Sequence, residues 1–283
     1  MPPKSPPSFG SQEYWNTRFE SDKTPFEWLE SPNSLDSPIA EALRLAKDGL
    51  PEILHIGCGT SLLSSHLRTH ARNPKQIHNL DYSDIAVELG RTNEKENYDK
   101  PNEENQNLGG HMRWHVVDLL DHTSLIKACQ PNAYTVIVDK STSDAIACSE
   151  DVHLPLPYPV SADPYAPIDL ENRTSSEPVH PLNVLAVHLA LVAKPGARWI
   201  ALSYSDDRFP FLNELPRDST LYNSFPDPSS LWTLVDKRAD EASEPDTPAK
   251  NPNGAIVHKA KVFNYLYILE RTKVPLFVRG DHV

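Results

Sequence analysis

From residue 52 onward the sequence alternates short apolar runs with segments of helical periodicity, and this alternation limits the fold more than any other feature. Such a rhythm is typical of βαβ units, which build a parallel sheet covered by helices on both faces. The run 134–138 is apolar except for Thr135, as expected for a strand buried on both faces. We predict strands at 52–56, 76–80, 112–117, 134–138 and 198–204, helices at 61–69, 83–93, 123–129 and 182–193, and a turn at 194–196.

The C-terminal part departs from this rhythm. Two further strands are predicted at 231–236 and 262–269, and the polar, proline-rich segment 237–254 between them shows no helical pattern. Strands joined without a crossover helix pair antiparallel. The predicted fold class is therefore α/β, a doubly wound sheet that is mostly parallel with an antiparallel hairpin at its C-terminal edge.

The whole chain, residues 1–283, is predicted to form one domain, because this length is within the range of a single α/β domain. Prolines crowd the first ten residues and indicate a loose tail. The segment 154–181 carries many prolines and no periodicity, which predicts a long loop over the sheet. The predicted parts are the tail at 1–10, an aromatic-rich segment at 11–30 that begins with a helix at 11–20, a helix at 38–47, and a core at 51–283 with insertions at 93–110 and 154–181.

The net charge of -12 argues against binding to nucleic acid or to an anionic membrane, because an acidic surface repels phosphate groups. The same charge would attract a basic partner, although acidity that only maintains solubility is the simpler explanation. The sequence shows neither an apolar leader nor a stretch of membrane-spanning length. We therefore expect a protein of the cytoplasm or the nucleus.

Cysteine and histidine usage predicts no metal site and no disulfide. Cys58, Cys129 and Cys148 lie far apart and form no C-x-x-C pair, a pattern typical of a reducing compartment. His111 and His115 are four residues apart on a predicted strand, but no further ligands are identifiable near them.

The stretch E-I-L-H-I-G-C-G-T-S, residues 52–61, is an apolar strand that runs into a turn with Gly57 and Gly59. In open α/β sheets, ligands bind outside the carboxyl ends of the strands, where glycines let the backbone approach closely. The dinucleotide pattern G-x-G-x-x-G would need glycine at Leu62, and the phosphate-loop pattern is absent as well. A tight turn without a ligand remains the alternative.

Two acidic residues follow the next two predicted strands. Asp81 is placed to accept hydrogen bonds from both ribose hydroxyls of an adenosine group, and its alternative role is that of an acid at a helix N-terminus. Asp118 would reach an adenine amino group while Leu119 covers the ring, and its alternative is a surface turn. Because the carboxyl ends of parallel strands share one rim, the combination favours an adenosine-containing ligand.

These motifs resemble the Rossmann-like, S-adenosylmethionine-dependent methyltransferases of the seven-β-strand class. The resemblance lies in I-L-H-I-G-C-G-T-S, N-L-D-Y-S, H-V-V-D-L and A-K-P-G-A-R-W-I, and the predicted hairpin fits the antiparallel seventh strand of that class. It implies S-adenosylmethionine as the cofactor, with S-adenosylhomocysteine as the product, rather than NAD.

A narrower resemblance is to the eukaryotic elongation factor 1A lysine methyltransferases, through Y-W-N-T-R-F, P-F-E-W, I-G-C-G-T-S-L-L-S, L-D-Y-S and V-D-K-S-T-S-D-A. It covers residues 13–147 well, the fifth strand moderately and the rest poorly, and the chain departs from the pattern at Thr60, Ser141 and Ser143. It implies a basic, elongation-factor-like protein substrate. The cofactor contacts that the resemblance implies are Trp15, Phe19 and Trp28 as an aromatic cover, Gly57 with Gly59, Asp81 with Tyr82, Asp118 with Leu119, and Lys140.

Methyl transfer is an in-line displacement, so positioning can dominate over acid–base chemistry. A lysine acceptor must nevertheless lose a proton, and Asp139 is the candidate base, with capping of the following helix as its alternative role. Three functions are left open: a protein lysine or N-terminal amine methyltransferase, a small-molecule methyltransferase that uses 154–181 as an acceptor lid, and a cofactor-binding regulatory protein with little turnover.

Overall fold

The computed structural model describes residues 7–99, 110–165, 173–213, 225–242 and 261–279. The strands are β1 Ile53–Ile56, β2 Ile77–Asp81, β3 Arg113–Val116, β4 Tyr134–Lys140, β5 Pro155–Leu156, β6 Val160–Ser161, β7 Arg173–Thr174, β8 Ala193–Ser203, β9 Trp232–Glu241, β10 Phe263–Arg271 and β11 Phe277–Val278. Seven of them form one sheet in the order β3-β2-β1-β4-β8-β10-β9. All neighbours from β3 to β8 pair parallel, whereas β10 pairs antiparallel with both β8 and β9. This confirms the predicted fold class, including the hairpin at one edge.

Helices cover both faces of the sheet. They are α1 Gln12–Ser21, α2 Asp36–Leu45, α3 Leu63–Leu67, α4 Asp84–Tyr98, α5 His122–Ala128, α6 Thr142–Ile146, α7 Pro181–Val192 and α8 Pro228–Leu231. Neighbouring residues of the central strands belong to two different core clusters, because successive side chains of a strand point to opposite faces. One cluster contains residues of α2, α3 and α4, and the other contains residues of α5, α7 and α8.

Helix α7 lies deepest in the second cluster. Eleven of its twelve residues are buried, as expected for a helix that is apolar around its whole circumference. Its one polar core residue, His188, is satisfied by the Tyr158 hydroxyl at 2.7 Å and by the Leu119 carbonyl at 2.7 Å. Burial lowers the pKa of His188 to about 4, so the ring is neutral at pH 7.

Three boundaries differ from the sequence prediction by more than about two residues. Helix α4 continues to Tyr98 rather than ending at residue 93, because the buried Glu94 carboxylate accepts from the Trp114 indole at 2.8 Å and from the Met112 amide at 2.8 Å. The predicted turn at 194–196 lies within β8, in the irregular stretch between the Ala193–Tyr134 and Arg198–Val136 pairs with β4. Strand β9 continues to Glu241 because it keeps its pairing with β10 along a polar stretch.

The described part of the segment 154–181, which was predicted to be a long loop, also contains three short strands. Strands β5 and β7 pair with each other, and β6 pairs with the C-terminal β11. These strands are two residues long, too short to leave a periodic pattern in the sequence. Residues 1–6 of the predicted tail, 100–109, 166–172 and 243–254 lie outside the described residues. Within the described ranges, no helix is long and apolar enough to cross a membrane.

Candidate functional site

A cavity of about 270 Å³ opens at the carboxyl ends of β1, β2, β3 and β4, beneath the N-terminal segment. Its volume is near the lower end of the range for small-ligand pockets, so a cofactor-sized molecule suits it better than a macromolecular segment. The ten residues that the sequence analysis assigned to cofactor contacts all line this cavity: Trp15, Phe19, Trp28, Gly57, Gly59, Asp81, Tyr82, Asp118, Leu119 and Lys140. The residues predicted to contact the cofactor therefore lie together around one cavity.

The turn after β1 requires glycine for two different reasons. Gly57 and Gly59 both have positive φ, at 55° and 48°, a conformation that disfavours residues with a Cβ atom. A Cβ on Gly57 would lie 2.1 Å from the Thr142 hydroxyl oxygen, whereas a Cβ on Gly59 would lie 3.4 Å from the ring of Phe19. The first glycine packs against α6, and the second keeps the cavity floor open.

Asp81 is buried at the end of β2 and faces the cavity. Its carboxylate accepts hydrogen bonds from the Gly59 amide at 2.8 Å and from the Ser83 amide at 2.9 Å. A carboxylate has about four lone-pair sites, so two remain for further donors. Burial raises the pKa of Asp81 to about 6, and hydrogen bonds from backbone amides partly oppose this shift.

The rim continues after β3. Asp118 is exposed at the cavity edge, and one of its carboxylate oxygens accepts from the Leu120 amide at 2.9 Å. Leu119 is buried beside it, and its carbonyl is fixed by His188. The tight turn thus presents one carboxylate and one apolar side chain to the cavity.

Five rings cover the cavity: Phe9, Trp15, Phe19, Phe26 and Trp28, which we call the aromatic cover. Trp15 is central to it, stacked on Phe19 with ring centroids 5.8 Å apart and edge-on to Trp28 at 6.0 Å. The Trp15 indole donates to the Phe9 carbonyl at 2.7 Å. The sequence analysis missed Phe9, which lies in the segment predicted to be a loose tail, and gave no role to Phe26.

Lys140 lines the cavity at the end of β4. Its ammonium bonds to the Glu27 carboxylate, the Trp28 carbonyl at 3.2 Å and the Glu30 carbonyl at 3.1 Å. Its three N–H donors are thereby used. Glu27 also accepts from the Ser61 hydroxyl at 2.9 Å and from the Leu62 amide at 2.6 Å. Lys140 therefore holds the aromatic cover in place.

The geometry does not support Asp139 as a general base. The residue is fully buried and does not line the cavity. Its carboxylate accepts from the amides of Thr142 at 2.9 Å and Ser143 at 3.2 Å, from the Ser143 hydroxyl, and from the Trp199 indole at 3.3 Å. This is the capping role given as its alternative. Burial raises the pKa of Asp139 to about 6.

A second buried acid, Asp144, was missed, although it lies inside the quoted motif V-D-K-S-T-S-D-A. It lines the cavity and pairs with Arg208 at 2.7 Å, and it also accepts from the Ser203 hydroxyl. Tyr204, about half exposed, borders the same end of the cavity. Glu27 was missed in the same way, inside the quoted P-F-E-W. Both residues lie inside motifs that carry the family resemblance, and this position could have identified them from the sequence.

Known proteins resemble the chain in sequence and in fold. No protein-family model matches the chain. The chain is 38% identical over 146 residues to methyltransferase srdJ of Neurospora crassa, a match that covers 51% of this chain and 57% of that protein. It is 29% identical over 151 residues to the eEF1A lysine and N-terminal methyltransferase of the mouse, covering 53% of this chain and 18% of that protein. The match thus spans a little over half of the first relative and less than a fifth of the second.

Solved structures share the fold. A SAM-dependent methyltransferase from Anabaena variabilis superposes with a TM-score of 0.50 and 13% identity, covering 95% of this chain and 96% of that one. The chain therefore has sequence relatives that are methyltransferases and the seven-strand fold that a SAM-dependent methyltransferase also adopts.

Proposed function

We propose that this chain is an S-adenosylmethionine-dependent methyltransferase. The observation that carries the proposal is the convergence of four features on one cavity: the glycine turn, the buried Asp81 carboxylate, the Asp118–Leu119 turn and the aromatic cover. The two methyltransferase relatives support the same reaction class.

The residues of the cavity fit this cofactor. Asp81 keeps two acceptor sites for the ribose hydroxyls, and Leu119 and Tyr82 flank the space for the adenine. Ser141 lines the cavity with a hydroxyl that has no hydrogen-bond partner among the described residues, so a polar group of a ligand could complete it. When bound, the cofactor supplies an electrophilic methyl group on a sulfonium, and the faces of Trp15, Phe19 and Trp28 suit such a cation.

For the acceptor, we propose an amine of a basic protein, a lysine or an N-terminal amine of an elongation-factor-like substrate. The name of the mouse relative and the net charge of -12 support this choice. The aromatic cover would exclude water, and Tyr204 would border the path of the acceptor. Positioning carries the reaction in this proposal, because Asp139 and Asp144 both have internal partners.

A small-molecule acceptor enclosed by the 154–181 segment finds less support. None of the residues of that segment that the structure describes lines the cavity. Tyr158 instead packs against His188 and Phe225 in the core.

The test incubates the purified chain with S-adenosylmethionine labelled on the methyl group and a eukaryotic lysate, and repeats it with purified elongation factor. Label in a protein band, identified as methyl-lysine or a methylated N-terminus by mass spectrometry, supports the proposal. Label in the small-molecule fraction would favour the second kind of acceptor. Tight cofactor binding without transfer would favour a regulatory protein, and no binding in a calorimetric titration would overturn the proposal.

A further inference from the structure

Three side chains outside the cavity converge on one point: Asp36, His66 and His70. The Nε2 atoms of His66 and His70 lie 2.6 Å and 2.7 Å from the same oxygen, Oδ1 of Asp36. Their potential ligand atoms all lie within 4.8 Å of one another. None of the three lines the cavity, so the proposed methyl transfer does not account for this cluster.

The backbone fixes the two histidines on one side of the chain. His66 belongs to α3, and His70 follows one turn later, with its amide bonded to the Leu67 carbonyl at 3.0 Å. Residues four apart on such a turn are neighbours. Asp36 begins α2 directly after Leu35, which is fully buried in the same core cluster as Leu63 of α3. The packing between these two helices therefore brings the carboxylate to the imidazoles.

We propose that Asp36, His66 and His70 form a binding site for a divalent transition-metal ion of the zinc class. Two imidazole nitrogens and one carboxylate oxygen are ligands that zinc accepts, and three protein ligands leave a fourth position for water. All three residues are partly buried, so the site opens to solvent on one side.

The sequence around the two histidines lacks the base that a hydrolytic zinc site uses. In the zinc-peptidase pattern H-E-x-x-H, a glutamate follows the first histidine and acts as the base. The corresponding residue here is Leu67, which is fully buried. A bound ion would join the start of α2 to the end of α3. It would thereby fix the connection between the segment that carries the aromatic cover and the helix that follows the glycine turn.

The full chain, freed of metal with a chelator and dialysed, is titrated with zinc chloride by calorimetry and with cobalt chloride by visible absorption. We expect one zinc ion per chain and the absorption bands of a four-coordinate cobalt site. The variants His66→Ala and His70→Ala should each weaken zinc binding at least about tenfold, since each removes one of three ligands. The shape-conserving variant Asp36→Asn should also weaken zinc binding.

His111→Ala is the matched control, because His111 also contacts a carboxylate, Asp99 at 3.3 Å, but belongs to no such three-residue group among the described residues. It should leave zinc affinity unchanged. Near-ultraviolet circular dichroism of each metal-free variant verifies the fold. No saturable zinc binding at micromolar concentrations would overturn the proposal. Equal binding by folded His66→Ala and His70→Ala would overturn it as well, because the ion would then lie elsewhere.

Discussion

The Lys140 ammonium pairs with the Glu27 carboxylate at the mouth of the cavity, and this contact joins the end of β4 to the aromatic cover. The same carboxylate accepts from Ser61 and from the Leu62 amide at the start of α3. One acidic side chain thus links three parts of the site. The Lys140 side chain is only 3% exposed and that of Glu27 is 24% exposed, so the two partners of the pair are not equivalent.

Removing Glu27 is therefore expected to cost more than removing Lys140. In Glu27→Ala, the buried Lys140 ammonium keeps only two carbonyl partners, so the free energy of unfolding should fall by about 3 kcal/mol. In Lys140→Met, the Glu27 carboxylate keeps its other donors, so the loss of stability should be smaller. Urea denaturation of both single variants and the double variant measures this. The pair should show a coupling energy of about 1–3 kcal/mol, and strictly additive effects would contradict the assigned contact.

The two glycines of the turn after β1 allow a matched comparison. Gly57→Ala should be the more damaging change, since its Cβ would collide with a Thr142 side chain that is fixed by a bond to the Ile56 carbonyl at 2.9 Å. Gly59→Ala has the same unfavourable φ but meets only Phe19. We expect Gly57→Ala to lower stability by at least about 2 kcal/mol more than Gly59→Ala, as read from chemical denaturation.

Asp81 predicts how cofactor affinity depends on pH. Its pKa is raised to about 6 by burial, and only the ionised form offers all its acceptor sites to ribose hydroxyls. Affinity for S-adenosylmethionine should therefore fall as pH drops below about 6, by up to about tenfold per pH unit. Asp81→Asn should bind about 10–100-fold more weakly at pH 7 and lose this dependence. Calorimetric titrations between pH 5 and pH 8 compare the two, and identical profiles would remove Asp81 from the binding site.

Much of this site could be predicted from the sequence because its signals are local. The glycine turn, Asp81 and Asp118 each follow directly from the end of a strand, and parallel strands bring those ends together. The pairing of Glu27 with Lys140 could not be predicted, since it joins residues 113 positions apart whose local sequences do not depend on each other.

The same reason explains what the sequence missed elsewhere. Two-residue strands such as β5 and β6 have no period to detect, and their pairing partners lie far along the chain. The cluster of Asp36, His66 and His70 arises only when α2 packs beside α3, because its acid and its histidines belong to different segments. Asp139 was misassigned for a related reason. The sequence places it correctly at the end of a strand, but it does not show that four donors occupy its carboxylate.

Asp139→Asn separates a capping role from catalysis. The side-chain amide oxygen of the new asparagine can still accept from Thr142 and Ser143, but its nitrogen cannot accept a hydrogen bond from the Trp199 indole. The free energy of unfolding should therefore fall by about 1–3 kcal/mol at pH 4. Cofactor affinity should be unchanged, because the residue does not line the cavity. Loss of methyl transfer in a folded variant that binds the cofactor normally would restore Asp139 as the base.

The difference in stability between the wild type and Asp139→Asn should decrease as the pH rises. The folded-state pKa of Asp139, about 6, lies above the ordinary aspartate value of 3.8, so the folded state binds a proton more tightly than the unfolded chain. The stabilisation that proton binding to Asp139 provides is complete below pH 4 and is lost as pH rises through 6. Asp139→Asn lacks the titrating group, and its deficit relative to the wild type should therefore shrink between pH 4 and pH 6. Denaturation curves at both pH values measure the change.

The aromatic cover can be tested through its own fluorescence. Trp15 and Trp28 both line the cavity, so S-adenosylmethionine should change tryptophan emission as it binds. Trp15→Ala removes the ring that contacts both Phe19 and Trp28 and should weaken cofactor binding by about 1–2 kcal/mol, or roughly 5–30-fold. Tyr14→Ala is the control, since Tyr14 precedes Trp15 on α1 but does not line the cavity. If Tyr14→Ala weakened cofactor binding as much as Trp15→Ala does, α1 would contribute packing alone and the aromatic cover would not contact the cofactor.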